Sequence, residues 1–174
     1  MEEIRNTIWT IGHSTRSLQE FVDLLSHYSI ELLVDVRSLP GSRKFPHFNK
    51  ENLEVELPAN GILYQHHLAL GGRRKFHKDS KNTAWRNASF QGYADYMESE
   101  EFKNAINNLK VCSQNKHTCI MCSEAVWWRC HRSMISDVLK LDGWKVMHIL
   151  SMTKLQEHPY TSPATIKDGK LFYQ

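Results

Sequence analysis

The sequence predicts one α/β domain over residues 1–174, a mostly parallel, Rossmann-like sheet with helices on both faces. Three observations carry that expectation. Short β-rich runs alternate with segments of helical period along most of the chain, as they do in a parallel sheet built from β-α-β units. Leu32-Leu33-Val34-Asp35-Val36 is almost continuously apolar, which suits a strand covered on both faces. Thr118 to Leu150 reads as strand, polar loop, helix, strand, and the loop lies where open α/β sheets bind ligands.

Thr7 to Ile11 is a short strand ending in Gly12-His13-Ser14-Thr15. Ser17 with Glu20 three residues on is the reciprocal capping pattern, and Leu18, Phe21, Val22, Leu25 and Tyr28 make one apolar helix face. The buried strand 32–36 leads into Arg37 to His47, where two prolines and a glycine exclude regular structure. Asn49 to Leu57 reads as a short helix stopped by Pro58, and Ile62 to His66 as a third strand. Leu70 to Ala88 is a long irregular segment carrying Gly71-Gly72-Arg73-Arg74-Lys75; such a loop in a compact domain is a functional lid or disordered. Gly92 to Met97 is weakly helical. Glu101 to Leu109 is more so, with Phe102, Ile106 and Leu109 on one side. In the central unit, Met134, Val138 and Leu141 recur at helical spacing, and Gly143 sits where a helix end favours positive φ. The polar tail carries Pro159 and Pro163 and then an expected edge strand at Lys170 to Tyr173.

The 174 residues suffice for one domain with a real core. Lys plus Arg number 22 against 19 Asp plus Glu, a net charge of +3 that permits an anionic ligand without demanding nucleic acid. Met1 to Asn6 is charged and has no signal-peptide pattern, and no apolar run approaches a membrane span, so no membrane partner is expected. Cys112, Cys119, Cys122 and Cys130 fall in one short region of a chain read as cytoplasmic, where buried, catalytic or metal-binding thiols are more plausible than disulfides.

If the strands are parallel, the loops leaving their carboxyl ends share one rim. They bring His13, Ser14 and Arg16; Asp35, Arg37, Ser42, Arg43, Lys44 and His47; His66, His67 and Arg73 to Lys75; and Cys122, Glu124, Arg129, His131 and Arg132. Guanidinium forks match carboxylate and phosphate oxygens, and helix amino ends add amide donors, so the rim reads as an anion pocket. The plain alternative is that these cations solvate loops. Cys122, at a strand end and before a helix, is expected to have a lowered thiol pKa and to serve as nucleophile; otherwise it is a small buried residue. Glu124 reads as general base or nucleophile, or as a partner for Arg132. His131 reads as proton-transfer group, its tautomer set by an acid such as Glu124, or as a structural imidazole. Asp35 and Arg37 read equally as a buried pair positioning loops. Cys119 and Cys122 are spaced like half a zinc site, but in a strand they point to opposite faces, and no metal ligand is assigned. Trp85, Trp127 and Trp128 would stack a base or cover the sheet edge.

Thr10-Ile11-Gly12-His13-Ser14, then Leu33-Val34-Asp35-Val36-Arg37 with Pro40 and Ser42, then Cys122-Ser123-Glu124 with Cys130-His131-Arg132, resemble the bacterial domain of unknown function 488 family over nearly the whole chain. The resemblance implies a single compact α/β domain and a site location, and assigns no reaction. A looser similarity links Asp35-Val36-Arg37 and the Cys122 loop to rhodanese and thiol-phosphatase domains. Those place an arginine six positions after the cysteine, where this chain has Trp128.

The expected function is a small cytoplasmic enzyme on a phosphorylated, nucleotide-like or otherwise anionic substrate, with the cofactor left open. Cys122, Glu124 and His131 would be catalytic. His13, Ser14, Asp35, Arg37, Ser42, Arg129 and Arg132 would bind substrate, with Arg37, Arg129 and Arg132 as the clamp. One alternative is a non-catalytic nucleic-acid-associated module using Arg73-Arg74-Lys75 and the tryptophans. Another is a metal-dependent hydrolase using His13, His66 or His67.

Overall fold

A computed structural model describes residues 6–174 of the chain. The charged segment beginning at Met1 lies outside the described residues, apart from Asn6. Strands β1 (Thr7–Gly12), β2 (Leu32–Asp35), β3 (Leu63–His66), β4 (Thr118–Cys122), β5 (Lys145–Ile149) and β6 (Leu155–Glu157) form one sheet in the order β3-β2-β4-β1-β5-β6. All neighbours pair parallel except β6, which is antiparallel to β5. Helices α1 (Leu18–His27) and α2 (Lys50–Ala59) lie on one face. Helices α3 (Ala88–Met97), α4 (Glu100–Ser113) and α5 (Arg132–Leu141) lie on the other. The expected α/β class is what the molecule shows, and no helix of the described residues is long and apolar enough to cross a membrane.

The two faces have separate cores. Ile11, Leu33, Cys119 and Met121 pack under Phe21, Leu25, Leu53 and Leu57; Ile8, Val34, Ile120 and Cys122 pack under Tyr93, Phe102, Ile106 and Ile135. Alternation along β4 therefore separates Cys119 from Cys122, as the period of a strand requires. Every residue of β2 and β4 is buried, because each has a strand on both sides and a helical layer on both faces.

Helix α1 starts as its capping box dictates. Ser17 Oγ accepts from the Glu20 amide at 3.1 Å, and the Glu20 carboxylate accepts from the Ser17 amide at 3.2 Å. At the end of α5, Gly143 has φ of 89°, Gly143 N–H reaches Lys140 O and Trp144 N–H reaches Leu139 O, the paired bonds of a Schellman stop. Four elements differ from expectation. Helix α2 runs through Pro58 to Ala59, since a proline in the last turn gives up only one amide bond. Helices α3 and α4 each begin earlier than their apolar periodicity, capped by Asn87 and Ser99. The tail strand does not edge the sheet: β8 (Lys170–Phe172) pairs with β7 (Thr165–Lys167) in a separate hairpin through Asp168-Gly169, and β6 takes the edge.

Candidate functional site

The connection leaving β1 runs by α1 toward β2, while that leaving β4 runs by α5 the opposite way to β5. Each passes over the other strand on its own face of the sheet, and adjacent strands whose connections leave to opposite faces make a crevice at their carboxyl ends, the topological switch point of an open α/β sheet. Gly12 and Cys122 are in register at that point, and the pairing continues past the strands through His13 N–H to Cys122 O (2.9 Å) and Ser14 N–H to Ser123 O (3.0 Å). The loop after β4 lies so close on β1 that a Cβ at Gly12 would stand 1.6 Å from Glu124 O. Only a glycine lets the two loops share this place.

On the neighbouring strand, Asp35 holds Arg37 through Nε (2.9 Å) and Nη2 (2.8 Å), and Tyr64 donates to Asp35 Oδ2 at 2.5 Å. Arg37 Nη2 also reaches Phe48 O, leaving Nη1 turned to His13 Nε2 at 3.4 Å. His13 Nδ1 bonds its neighbour's Ser14 O at 2.9 Å, so the hydrogen sits on Nδ1 and Nε2 keeps its lone pair. Burial, helped by the charge of Arg37 and opposed by the Ser14 bond, lowers His13 to about 4. Its ring stacks on Phe48 at 4.3 Å. Asp35 is fully buried behind the wall and positions Arg37.

The β4–α5 loop departs from expectation most. Cys122 is 2% exposed, and burial, with its hydrogen bond to Cys130, pushes its thiol pKa up rather than down. Cys130 is the thiol with a lowered pKa. Burial works against that, and is outweighed by the Cys122 hydrogen bond, the charge of Arg132 and the Arg132 backbone N–H. His131 Nε2 bonds Val36 O at 2.7 Å, so a backbone carbonyl sets its tautomer, not Glu124; Nδ1 then faces Cys130 Sγ at 3.5 Å. Arg132 is 1% exposed and lies beneath the loop, Nη2 on Glu124 O (3.1 Å) and Ala125 O (3.3 Å). It is not among the residues that line the cleft. The Glu124 carboxylate is exposed, has no hydrogen bond among the described residues, and is not Arg132's partner; Arg132 takes the carbonyl instead.

One cleft of about 680 Å³ spans this region. Of the residues expected at the site, His13, Ser14, Arg37, Ser42, Cys122, Glu124, Arg129 and His131 line it, while Asp35 and Arg132 stand behind. Ser42 shapes its own turn, its Oγ accepting from the Lys44 and Phe45 amides at 3.2 Å. Lys44 and Arg73 also line the cleft. Other rim cations are held by backbone carbonyls: Arg16 by Gly12 O and Leu150 O, Arg74 by Gly71 O while stacked over Tyr96. His66 is bonded to Arg37 O, and His67 to Gln65. No group of three or more His, Cys, Asp or Glu side chains among the described residues is placed to hold a metal ion. Trp127 is buried flat against His148 and bonds Gln156 of β6, covering the sheet edge; Trp128 is 50% exposed. Sequence reading passed over Cys130, Phe45, Phe90, Ser38 and Ser89, which share the wall. Cys130 alone had a signal, its place just before a helix and among Arg129, His131 and Arg132.

Fold and site together define a doubly wound α/β domain with a predominantly cationic cleft at its switch point. A family model described as domain of unknown function DUF488 matches residues 17–139, and the chain belongs to that family. No curated protein and no solved structure matches it. A rhodanese-like relationship is not shown, and the loop is built differently from an anion-wrapping one: the carbonyls of Glu124 and Ala125 turn toward Arg132.

Proposed function

We propose that the switch-point cleft binds a small anionic molecule, phosphorylated or nucleotide-like, and that the domain is a cytoplasmic enzyme acting on it. One observation carries the reading: Arg37 and Lys44 from the loop after β2, Arg73 from the segment after β3 and Arg129 from the loop after β4 line one cleft in which Glu124 is the sole carboxylate among the described lining residues. Asp35 balances Arg37, so the unmatched positive charge comes from Lys44, Arg73 and Arg129. Arg37 contributes a fixed Nη1 donor, pre-oriented by its carboxylate. Glu124 is the proton acceptor in this reading, since its carboxylate is exposed at the wall while His131 is held below by Val36 O.

Inorganic phosphate and nucleoside phosphates should raise the melting temperature at low salt, by about 2.7 kcal/mol of stabilisation at 100-fold over Kd. Arg129→Ala removes an exposed cation, so it should leave the unliganded protein within about 0.5 kcal/mol of wild type. It should weaken phosphate binding roughly tenfold, the worth of one charge-assisted hydrogen bond. Absence of any phosphate-dependent shift would sink the reading. The rival, a non-catalytic nucleic-acid-associated module, is favoured by the exposed Trp128 ring next to Arg129, and a salt-dependent shift of single-stranded DNA or RNA would support it instead.

A further inference from the structure

The floor of the cleft contains two sulfurs for which the anion-binding reading has no use. Cys122 ends β4 and Cys130 precedes α5, eight positions apart in the chain, yet their thiols are within hydrogen-bonding reach and both line the cleft. Cys130 Sγ accepts from the Arg132 backbone N–H at 3.4 Å and stands 3.5 Å from His131 Nδ1, whose lone pair faces it because Nε2 carries the hydrogen. Cys119 lies in the opposite core, and Cys112 donates to Leu109 O of its own helix, away from the cleft.

We propose that Cys122 and Cys130 are a redox-active dithiol, oxidised by a small peroxide to a reversible disulfide across the floor of the cleft, with Cys130 attacking and Cys122 resolving. The division of labour follows from the surroundings. Cys130 has the amide donor, the guanidinium of Arg132 and an imidazole acceptor for its proton; Cys122 donates to Glu124 O at 3.8 Å and stays protonated. In the first step a bond forms from the Cys130 sulfur to one peroxide oxygen as the O–O bond breaks. The second oxygen leaves and is protonated to water, and Cys130 becomes a sulfenic acid. In the second step the Cys122 sulfur attacks the Cys130 sulfur, the S–O bond breaks, and the departing hydroxide takes the Cys122 proton. Two thiols and one hydrogen peroxide give one disulfide and two waters. A small dithiol restores both sulfurs. The oxidant is a peroxide rather than a bulky disulfide because the sulfurs belong to residues only 2% and 5% exposed. The proposal stands whether or not the cleft takes an anion.

The test uses the whole reduced protein treated with one equivalent of hydrogen peroxide, digested without reductant and read by mass spectrometry. The expected product is a peptide pair joined at Cys122 and Cys130, lighter by two hydrogens and separated by dithiothreitol. Cys122→Ser should stop at a sulfenic acid on Cys130 that dimedone traps. Cys130→Ser should yield neither disulfide nor a trapped Cys122. Oxidation of Cys112 with the pair left reduced, or irreversible overoxidation of Cys130 with no linked peptide in wild type, overturns the proposal; that wild-type map needs no variant to fold.

Discussion

Gly12 is the residue on which the crevice turns. The Glu124 carbonyl occupies the place a Cβ would take, and that carbonyl also receives Arg132. Backbone cannot swing aside as a side-chain tip can, so Gly12→Ala should cost about 3 kcal/mol, the upper end for overpacking. The variant should melt lower in denaturant titration and lose phosphate response together, whereas Arg129→Ala should separate the two. A Gly12→Ala protein of wild-type stability would mean that the β4–α5 loop does not rest on β1 in solution. The same residue shows how far sequence reaches. Gly-His-Ser after a strand marks a site, but nothing along the chain says which loop comes down upon it. Arg132 shows the other side of that gap: a guanidinium after a strand looks like a ligand clamp, and only the path of the loop places it underneath.

At the scale of elements, α5 anchors the tail through Asp137. Its carboxylate, fully buried, accepts from His158 Nε2 (2.8 Å), Thr161 N (3.0 Å), Thr161 Oγ1 (2.6 Å) and Tyr173 Oη (2.8 Å). A carboxylate only accepts, so it sets every hydrogen beyond it: His158 Nδ1 accepts from His148 Nε2 at 2.8 Å, and His148 Nδ1 from Thr10 Oγ1 at 2.5 Å. The chain of bonds joins β1, β5, α5 and the segment after β6. Asp137→Ala strands several buried donors at about 1–3 kcal/mol each, so a loss of about 3 kcal/mol or more is expected. Native-state hydrogen exchange should show the tail from His158 to Tyr173 opening before the sheet; uniform opening would contradict its anchoring by this one side chain. The anchor was hidden in the sequence because its partners are polar, single and far apart. The strand and helix runs were legible because their apolar periods repeat locally. Strand order was not, since crossovers skip over β4 and β1, and the three-residue β6 is too short and polar to announce itself.

For the whole molecule, the two faces of the sheet are tied to acid stability through imidazoles that folding holds neutral. Burial lowers His13 to about 4 and His148 to about 2, the second with help from His158 and Arg132. An unfolded histidine protonates near its ordinary value of about 6.5. Between that value and the folded one, the unfolded chain binds more protons, so stability rises with pH there. The contribution is fully present above about 6.5 and is lost as pH falls toward 4, where His13 finally charges beside Arg37 and opens its stack on Phe48. Melting temperature should therefore drop steadily below pH 6.5, and the His13 ring protons should titrate near 4 by NMR while those of His148 stay unchanged to the point of unfolding. If His13 titrated near 6.5 instead, the ring would be solvated, the Arg37 Nη1 donor would lose its neutral neighbour, and the cleft would not be pre-organised for an anion. From pH 6.5 down to about 4 the folded ring stays neutral, so stability should fall while phosphate affinity holds; only near 4 does protonated His13 add a positive charge beside Arg37, which Asp35 and Phe48 O keep in place.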